Sequence, residues 1–173
     1  WPQPVSGDLA LQVHELATGA DQVYLLTARP LTWTYAVDPA GRPQAAWAEG
    51  NTVTWWSPEQ TAAEVLTVPS AARLGEVSLA IASDGHAWLA WTAWDASGLP
   101  VGVYVADPLG GSAPVLVAPG GRSPRLLAVP DGPLALFWVD SAGLRVASQE
   151  DWMASSLVAA HLSASTPLAV AAG

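Results

Sequence analysis

The chain has 173 residues, of which 51% are hydrophobic and only 12% charged, and its formal net charge is −9 at pH 7. The apolar share is large enough to form a packed core, which excludes a disordered chain, and so negative a protein repels the phosphates of nucleic acids. The absence of cysteine excludes disulfides, thiol catalysis and cysteine-ligated zinc, and no stretch reaches the roughly 18 apolar residues that span a bilayer.

Short apolar runs separated by turn residues predict β-strands along the whole chain. After Trp1, two strands are expected over residues 9–16 and 22–28. Four-strand units are then expected at 31–37, 43–48, 52–56 and 64–68, at 77–82, 86–92, 101–106 and 114–118, and at 125–129, 133–139, 143–148 and 157–162. Residues 167–171 predict one more strand. Residues 57–60 and 150–161 also have helical character, which we interpret as at most one helical turn in each.

An internal repeat with a period near 45 residues underlies this pattern. Its anchors are tryptophans separated by 46, 44 and 47 residues, namely Trp1, Trp47, Trp91 and Trp138. A glycine precedes each of the last three by six positions, and an acidic residue precedes each glycine. These residues are Gly41, Gly85 and Gly132, with Asp38, Asp84 and Asp131. Such a compound pattern predicts a repeat architecture.

Four short antiparallel strands in every repeat are typical of a β-propeller blade. The sequence therefore predicts an all-β propeller segment with three complete blades, over residues 29–70, 71–121 and 122–163. Residues 1–28 are expected to form part of a preceding blade, and residues 164–173 the first strand of the next. Because the repeat is interrupted at both ends, we expect the natural polypeptide to continue in both directions; the alternative is that another chain donates the missing strand by β-augmentation.

The runs Tyr35–Trp47 and Leu79–Trp91 resemble repeats of the sialidase-like β-propeller superfamily, in particular its BNR-type members in bacterial secreted and surface proteins. The resemblance implies a protein that is extracellular, on the cell surface or periplasmic. The strict Asp-box is absent, and the arginine triad and acidic residues of sialidases cannot be assigned to positions in this chain. The resemblance thus implies a non-catalytic member, and many members of the superfamily bind glycans or proteins.

The repeated aspartates have two interpretations. Asp38, Asp84 and Asp131 are able to line a metal or sugar site, or to bond their own backbone in a turn before glycine. Their unequal offsets from the glycines favour turns. The three histidines have no metal-ligand spacing. We therefore predict no metal and no cofactor.

The tryptophans divide into two groups. Those that repeat are expected to pack between blades. Trp55, Trp56, Trp94 and Trp152 do not repeat and are the candidate binding residues. Each either fills an irregular part of the core or is exposed, where it is able to stack on a sugar ring or anchor a protein partner.

No group of residues predicts catalysis. Glu49, Glu59, Glu64 and Glu76 lie in polar, loop-like contexts, so no glycosidase acid pair is expected. We predict a non-enzymatic scaffold or recognition module, whose partners are other protein subunits or the remaining blades of a longer chain, and no nucleic acid. The alternatives are a fragment of a sialidase-like glycoside hydrolase and a glycan-binding lectin that uses exposed tryptophans.

Overall fold

A computed structural model describes residues 9–14, 21–26, 32–60, 64–68, 71–129 and 132–160. Within those ranges the chain forms β-strands and turns but no helix. It divides into two compact units, residues 1–31 and residues 32–173.

The first unit contains one antiparallel hairpin of two strands, β1 (Leu9–His14) and β2 (Asp21–Leu26). Its register places Leu9 opposite Leu26 and His14 opposite Asp21. Both strands predicted in this region are present, and the segment that joins them lies outside the described residues, as does Trp1.

The second unit contains three four-stranded antiparallel sheets within its described residues, each with its strands in chain order. The first sheet consists of β3 (Thr32–Val37), β4 (Pro43–Glu49), β5 (Thr52–Trp56) and β6 (Glu64–Thr67). The second consists of β7 (Arg73–Ile81), β8 (Ala87–Trp94), β9 (Pro100–Ala106) and β10 (Val115–Pro119). The third consists of β11 (Arg122–Leu127), β12 (Ala135–Val139), β13 (Gly143–Ser148) and β14 (Asp151–Ala160). The prediction of an all-β chain with repeated four-stranded sheets is confirmed.

Several strand bounds differ from the sequence-based expectation, most clearly those of β14 and β7. Residues 150–161, where the sequence suggests at most one helical turn, contain the ten-residue strand β14. At the start of this strand the Asp151 carboxylate accepts the amide of Met153 at 3.0 Å. β7 begins four positions before the predicted strand, at Arg73 rather than residue 77. The extra residues include a bulge at Gly75 and Glu76, which alternation of apolar residues does not reveal. The strand predicted at 167–171 lies outside the described residues.

The second sheet lies between the other two and contributes a hydrophobic face to each. Towards the first sheet it presents Leu89, Trp91 and Ala93, which pack with Ala46 and Trp55. The opposite face packs against the third sheet, through Ala90, Val103 and Val105 with Leu136 and Trp138. Because strand side chains alternate between faces, neighbouring residues of β8 and β9 serve two different cores.

The first strands of successive sheets, β3, β7 and β11, approach one another closely. Hydrogen bonds join them: among others, the Thr32 hydroxyl donates to the Gly75 carbonyl at 3.0 Å, and the Leu126 amide donates to the Ser78 hydroxyl at 2.9 Å. The sheets are therefore joined by polar contacts as well as apolar packing. Among the described residues, no helix is long and apolar enough to cross a membrane.

Candidate functional site

The repeated tryptophans occupy the second strand of each four-stranded sheet. Trp47, Trp91 and Trp138 lie in β4, β8 and β12, with exposed fractions of 7%, 0% and 2%. The Trp91 ring stacks nearly parallel to Tyr104, with centroids 6.3 Å apart. Trp91 and Trp138 each face the sheet that precedes their own, and so fill the space between sheets.

The repeated glycines end the hairpin turns that lead into those strands. Gly41 and Gly85 have φ values of +82° and +86°, a conformation in which a residue with a Cβ is strained. In the first turn the Gly41 amide donates to the Asp38 carbonyl, and in the second the Gly85 amide donates to Ala82. Asp38 therefore begins its turn, whereas Asp84 is the third residue of the equivalent turn. The two aspartates do not occupy equivalent positions, and Asp131 lies outside the described residues.

The carboxylate of Asp38 accepts hydrogen bonds from residues of its own turn. One oxygen accepts the amides of Ala40 and Arg42 at 2.9 Å each, and the other accepts the Arg42 guanidinium at 2.7 Å. Burial acts to raise the pKa of Asp38, but these hydrogen bonds outweigh it and hold the pKa below its usual value. The hydrogen bonds of Asp38 therefore stabilise its own turn.

A sequence pattern, Asp-x-x-Gly, marks further turns of this kind and was missed by the repeat analysis. It occurs at residues 38–41, 95–98, 107–110 and 140–143. In every copy the aspartate accepts the amide of the residue two positions later, at 2.7–2.9 Å. Hydrogen bonds from Ser97 hold the pKa of Asp95 low, and at Asp140 burial is outweighed by the Ala142 amide and Arg145.

The four candidate binding tryptophans lie in different environments. Trp55 is 2% exposed, and its indole N–H donates to Gln44 Oε1 at 3.0 Å, so it belongs to the core. Trp56 and Trp94 are half-buried, and the Arg73 guanidinium carbon lies 4.9 Å from the Trp94 ring centroid. Trp152 is also half-buried and packs on Trp88, edge to face, with centroids 5.7 Å apart. The structure therefore does not bring the four together.

Trp152 instead belongs to a group that we call the loop-end cluster, which consists of His86, Trp88, Asp107 and Trp152. Nε2 of His86 lies 2.6 Å from Oδ2 of Asp107. The imidazole is tilted against Trp88, with centroids 6.5 Å apart. Sequence reasoning missed Trp88 and Asp107, although Trp88 and Trp91, three residues apart on one strand, must lie on opposite faces.

The antiparallel fold brings this cluster together. His86 follows the turn between β7 and β8, and Asp107 begins the loop between β9 and β10. In a four-stranded meander these two connections lie at the same end of the sheet. Trp152 arrives from the start of β14 in the third sheet. The cluster therefore joins the second and third sheets at their loop end.

The first sheet has a contact equivalent to the His86–Asp107 pair. Arg42, which follows its turn glycine as His86 does, forms an ion pair with Glu59 in the β5–β6 loop. In the third sheet, the Gln149 side chain accepts the Leu134 amide at 3.2 Å, again joining the first turn to the third loop. In each sheet a contact thus joins the connection between the first two strands to the connection between the last two. The contact is a histidine–aspartate pair in the second sheet, an ion pair in the first and a hydrogen bond from a backbone amide to a side chain in the third.

A second aromatic pair lies on the first sheet. Trp33 and Tyr35 of β3 stack with centroids 6.2 Å apart and are 48% and 57% exposed. Trp33 is opposite Trp47 in the strand register, on the face turned away from the second sheet. Exposed Val37 and Val65 share this face. We call these four exposed residues the aromatic face; sequence reasoning missed Trp33 because alternation of side chains does not show which face of a sheet is left uncovered.

The structure corrects the prediction that Glu76 lies in a loop. This residue lies in the bulge of β7 and is half-buried, and its Oε1 is 3.5 Å from the hydroxyl of Ser123. Ser123 lies in the bulge of β11 with φ of +54°, and its amide donates to the Thr92 hydroxyl. Glu49 and Glu64 also lie in strands rather than loops. Alternating patterns do not place bulged residues, which explains the error for Glu76.

Within the described ranges, no group of three or more histidine, aspartate or glutamate side chains is arranged to hold a metal ion. Comparison of the sequence with protein-family models and with curated proteins finds no match.

Proposed function

We propose that the chain is a segment of a β-propeller that acts as a non-catalytic scaffold or recognition module in a bacterial surface or secreted protein, or in an extracytoplasmic assembly. Three successive meanders pack face to face and approach closely at their first strands, the arrangement expected of strands beside a propeller axis. Trp91 and Trp138, which lie between sheets, fit the same architecture.

The aromatic face is the observation that carries the scaffold role. Trp33, Tyr35, Val37 and Val65 lie exposed on one face of the first sheet and are apolar or aromatic. Tryptophan and tyrosine are enriched at the centres of protein interfaces. In the second and third sheets the corresponding face, which carries the repeated tryptophan, packs against another sheet. The partner that fits the aromatic face is therefore a further β-sheet, from the same polypeptide or another subunit.

The roles of the carboxylates support a non-catalytic function. Asp38, Asp95, Asp107 and Asp140 all accept backbone amides of their own turns. Carboxylates so engaged stabilise hairpins and are poorly placed to exchange protons with a substrate. For the hydrolase alternative, Glu76 is the residue to test, because it is half-buried beside the first strands and its Oε2 is buried without a hydrogen-bond partner in the described structure.

Substitution of the aromatic face tests the scaffold. Trp33→Lys and Tyr35→Lys should leave the fold intact, since both side chains are about half exposed, and should abolish association with the natural partner subunits or blades. Leu99→Lys, at an exposed turn residue, is the matched control. Unchanged assembly of the Trp33 and Tyr35 variants would contradict the proposal.

A panel of chromogenic glycosides tests the absence of catalysis. We expect no turnover by the chain, with or without the substitution Glu76→Gln. Hydrolysis that Glu76→Gln abolishes would instead establish the hydrolase alternative.

The propeller arrangement has a separate test. Determination of the structure of the natural assembly would show whether β3, β7 and β11 surround a common axis.

A further inference from the structure

The last strand of the third sheet, β14, has an open edge. β14 ends its sheet, and among the described residues its only strand partner is β13. The backbone N–H and C=O groups of β14 that point away from β13 therefore have no partner strand in the described part of the chain. Such a row of groups is a template on which another strand is able to pair. We call this side of β14 the β14 edge.

The β14 edge lacks the charges and prolines that commonly protect the edges of sheets. Residues 152–160 are nine successive residues with neither a charge nor a proline. The equivalent strands of the other sheets are shorter and carry such a residue. β6 has four residues and begins with Glu64, and β10 has five and ends with Pro119, whereas β14 has ten. β14 is thus the least protected of the three outer strands.

Apolar side chains along β14 are exposed. The exposed fractions of Met153, Leu157 and Val158 are 65%, 49% and 53%. A bulge places Val158 between two paired positions, with no residue of β13 opposite to it. Because a bulge interrupts the alternation of side chains between faces, it accounts for two successive apolar residues that are both exposed. A strand that pairs with the β14 edge would cover part of this apolar surface.

The stretch available for pairing is the later part of the strand. At its start the Asp151 carboxylate accepts the amides of Met153 and Ala154 at 3.0 and 3.2 Å, so both amides are bonded within the chain. Residues 155–160 lie beside β13. In an antiparallel strand, residues alternate between those that bond one neighbour and those that face the other side. Residues 155–160 therefore present backbone donors and acceptors to a new strand.

Charge selects the occupant of the β14 edge. The formal charge of −9 makes two copies of the chain repel each other, so copies associate most readily where the contact itself carries no charge. An uncharged edge offers no ion pair to a charged partner strand, and it favours a strand that is itself uncharged and apolar. β14 is such a strand, and an isologous contact uses the same surface of both copies.

We propose that β14 pairs antiparallel with β14 of a second copy of the chain, about a two-fold axis. The third sheets of the two copies, of four strands each, then form one continuous sheet of eight strands. A contact through one strand from each copy is smaller than a standard protein interface, so the dissociation constant of the dimer is expected to be about 10 µM or weaker.

This inference goes beyond the scaffold role and does not depend on it. The aromatic face lies on the first sheet, whereas β14 belongs to the third. Self-association through β14 and assembly through the aromatic face are therefore lost through different substitutions. A failure of one leaves the other intact.

Sedimentation equilibrium of the chain from about 5 to about 500 µM tests the proposal, because that range brackets the expected dissociation constant. We expect a monomer–dimer equilibrium with no larger species, since a two-fold contact closes on itself. Leu157→Lys and Val158→Lys should each raise the dissociation constant at least about tenfold, because each copy then brings a charge to the contact. Leu99→Lys, which changes the net charge equally at an exposed turn residue, should leave it unchanged. Thermal midpoints show that each variant is folded.

Hydrogen exchange of the unsubstituted chain locates the contact. Amides within residues 155–160 should exchange more slowly at high than at low protein concentration, and those of β6, the equivalent strand of the first sheet, should not change. A chain that stays monomeric, a dimer that both lysine variants leave intact, or growth into larger species would overturn the proposal. So would slower exchange confined to strands other than β14, or a dimer that Trp33→Lys dissociates as strongly as Leu157→Lys.

Discussion

The backbone N–H of Leu126 donates a 2.9 Å hydrogen bond to the hydroxyl of Ser78, across the interface between β11 and β7. The two residues are 48 positions apart, about one repeat, and both are buried. An amide in the first strand of one sheet is thus satisfied by a side chain in the first strand of the preceding sheet. This bond couples the second and third sheets at the strands where they approach closely.

Ser78→Ala tests that coupling. The substitution removes the acceptor and leaves the Leu126 amide buried and unpaired, which should lower the free energy of unfolding by about 1–3 kcal/mol. Ser83→Ala, at an exposed turn residue, is the control and should change it by less than about 0.5 kcal/mol. Urea denaturation of both variants gives the comparison, and similar midpoints would show that the bond contributes little.

Trp91→Ala should be among the most destabilising substitutions. Trp91 is fully buried and packs on Tyr104 and on the first sheet, so its removal leaves a large cavity. The expected loss is about 3–5 kcal/mol. Trp94→Ala should cost less because Trp94 is half-buried and stacks against Arg73. Equal and small losses in thermal unfolding would contradict the assignment of Trp91 to the core.

Gly102→Ala should be far more disruptive than Gly98→Ala. Gly102 has φ of +153°, and a Cβ there would overlap the backbone carbonyl of Ala118 in the paired strand. Gly98 has φ of +82° but open space around the same position. Alanine at residue 98 should cost about 1 kcal/mol of backbone strain, whereas alanine at 102 must also displace β10. Far-ultraviolet circular dichroism and thermal melts separate the two, and equal midpoints would contradict the close approach.

The sequence predicts the strands where apolar residues and turn glycines recur at a regular spacing. Alternating apolar runs and turn glycines predicted the sheets, because the same two signals recur in each repeat. β7 and β11 each contain a bulge, at Gly75 and Glu76 and at Ser123 and Pro124, where the side-chain alternation is interrupted. That is why the start of β7 and the strand location of Glu76 were not predicted.

The loop-end cluster could not be predicted for a different reason. His86, Asp107 and Trp152 come from three connections or strand starts that are far apart in sequence, and their proximity depends on how the second and third sheets pack. The exposure of Trp33 was equally hidden, since alternation shows which residues share a face but not which face is covered. Composition alone cannot distinguish a core tryptophan such as Trp55 from an exposed one.

Stability at low pH should depend on Asp38. Its pKa lies below the unfolded value of 3.8 because the hydrogen bonds from Arg42 and Ala40 outweigh the effect of burial. Between the folded and unfolded pKa values the unfolded chain binds more protons, so the free energy of unfolding rises with pH there. The contribution of Asp38 is therefore complete above the unfolded pKa and is lost as the pH falls through the folded pKa.

Asp38→Asn removes this dependence while keeping an oxygen that accepts the turn amides. We expect the difference in unfolding free energy between the wild type and Asp38→Asn to be constant above pH about 5 and to shrink as the pH falls below about 4. Arg42→Gln, with Asp38 intact, should raise the pH at which the Asp38 carboxyl titrates, because it removes the guanidinium that donates to Oδ2. The ¹³C shift of that carboxyl, followed through the acid range, measures this directly. Titration of Asp38 at the same pH with and without Arg42 would show that the guanidinium does not set its pKa.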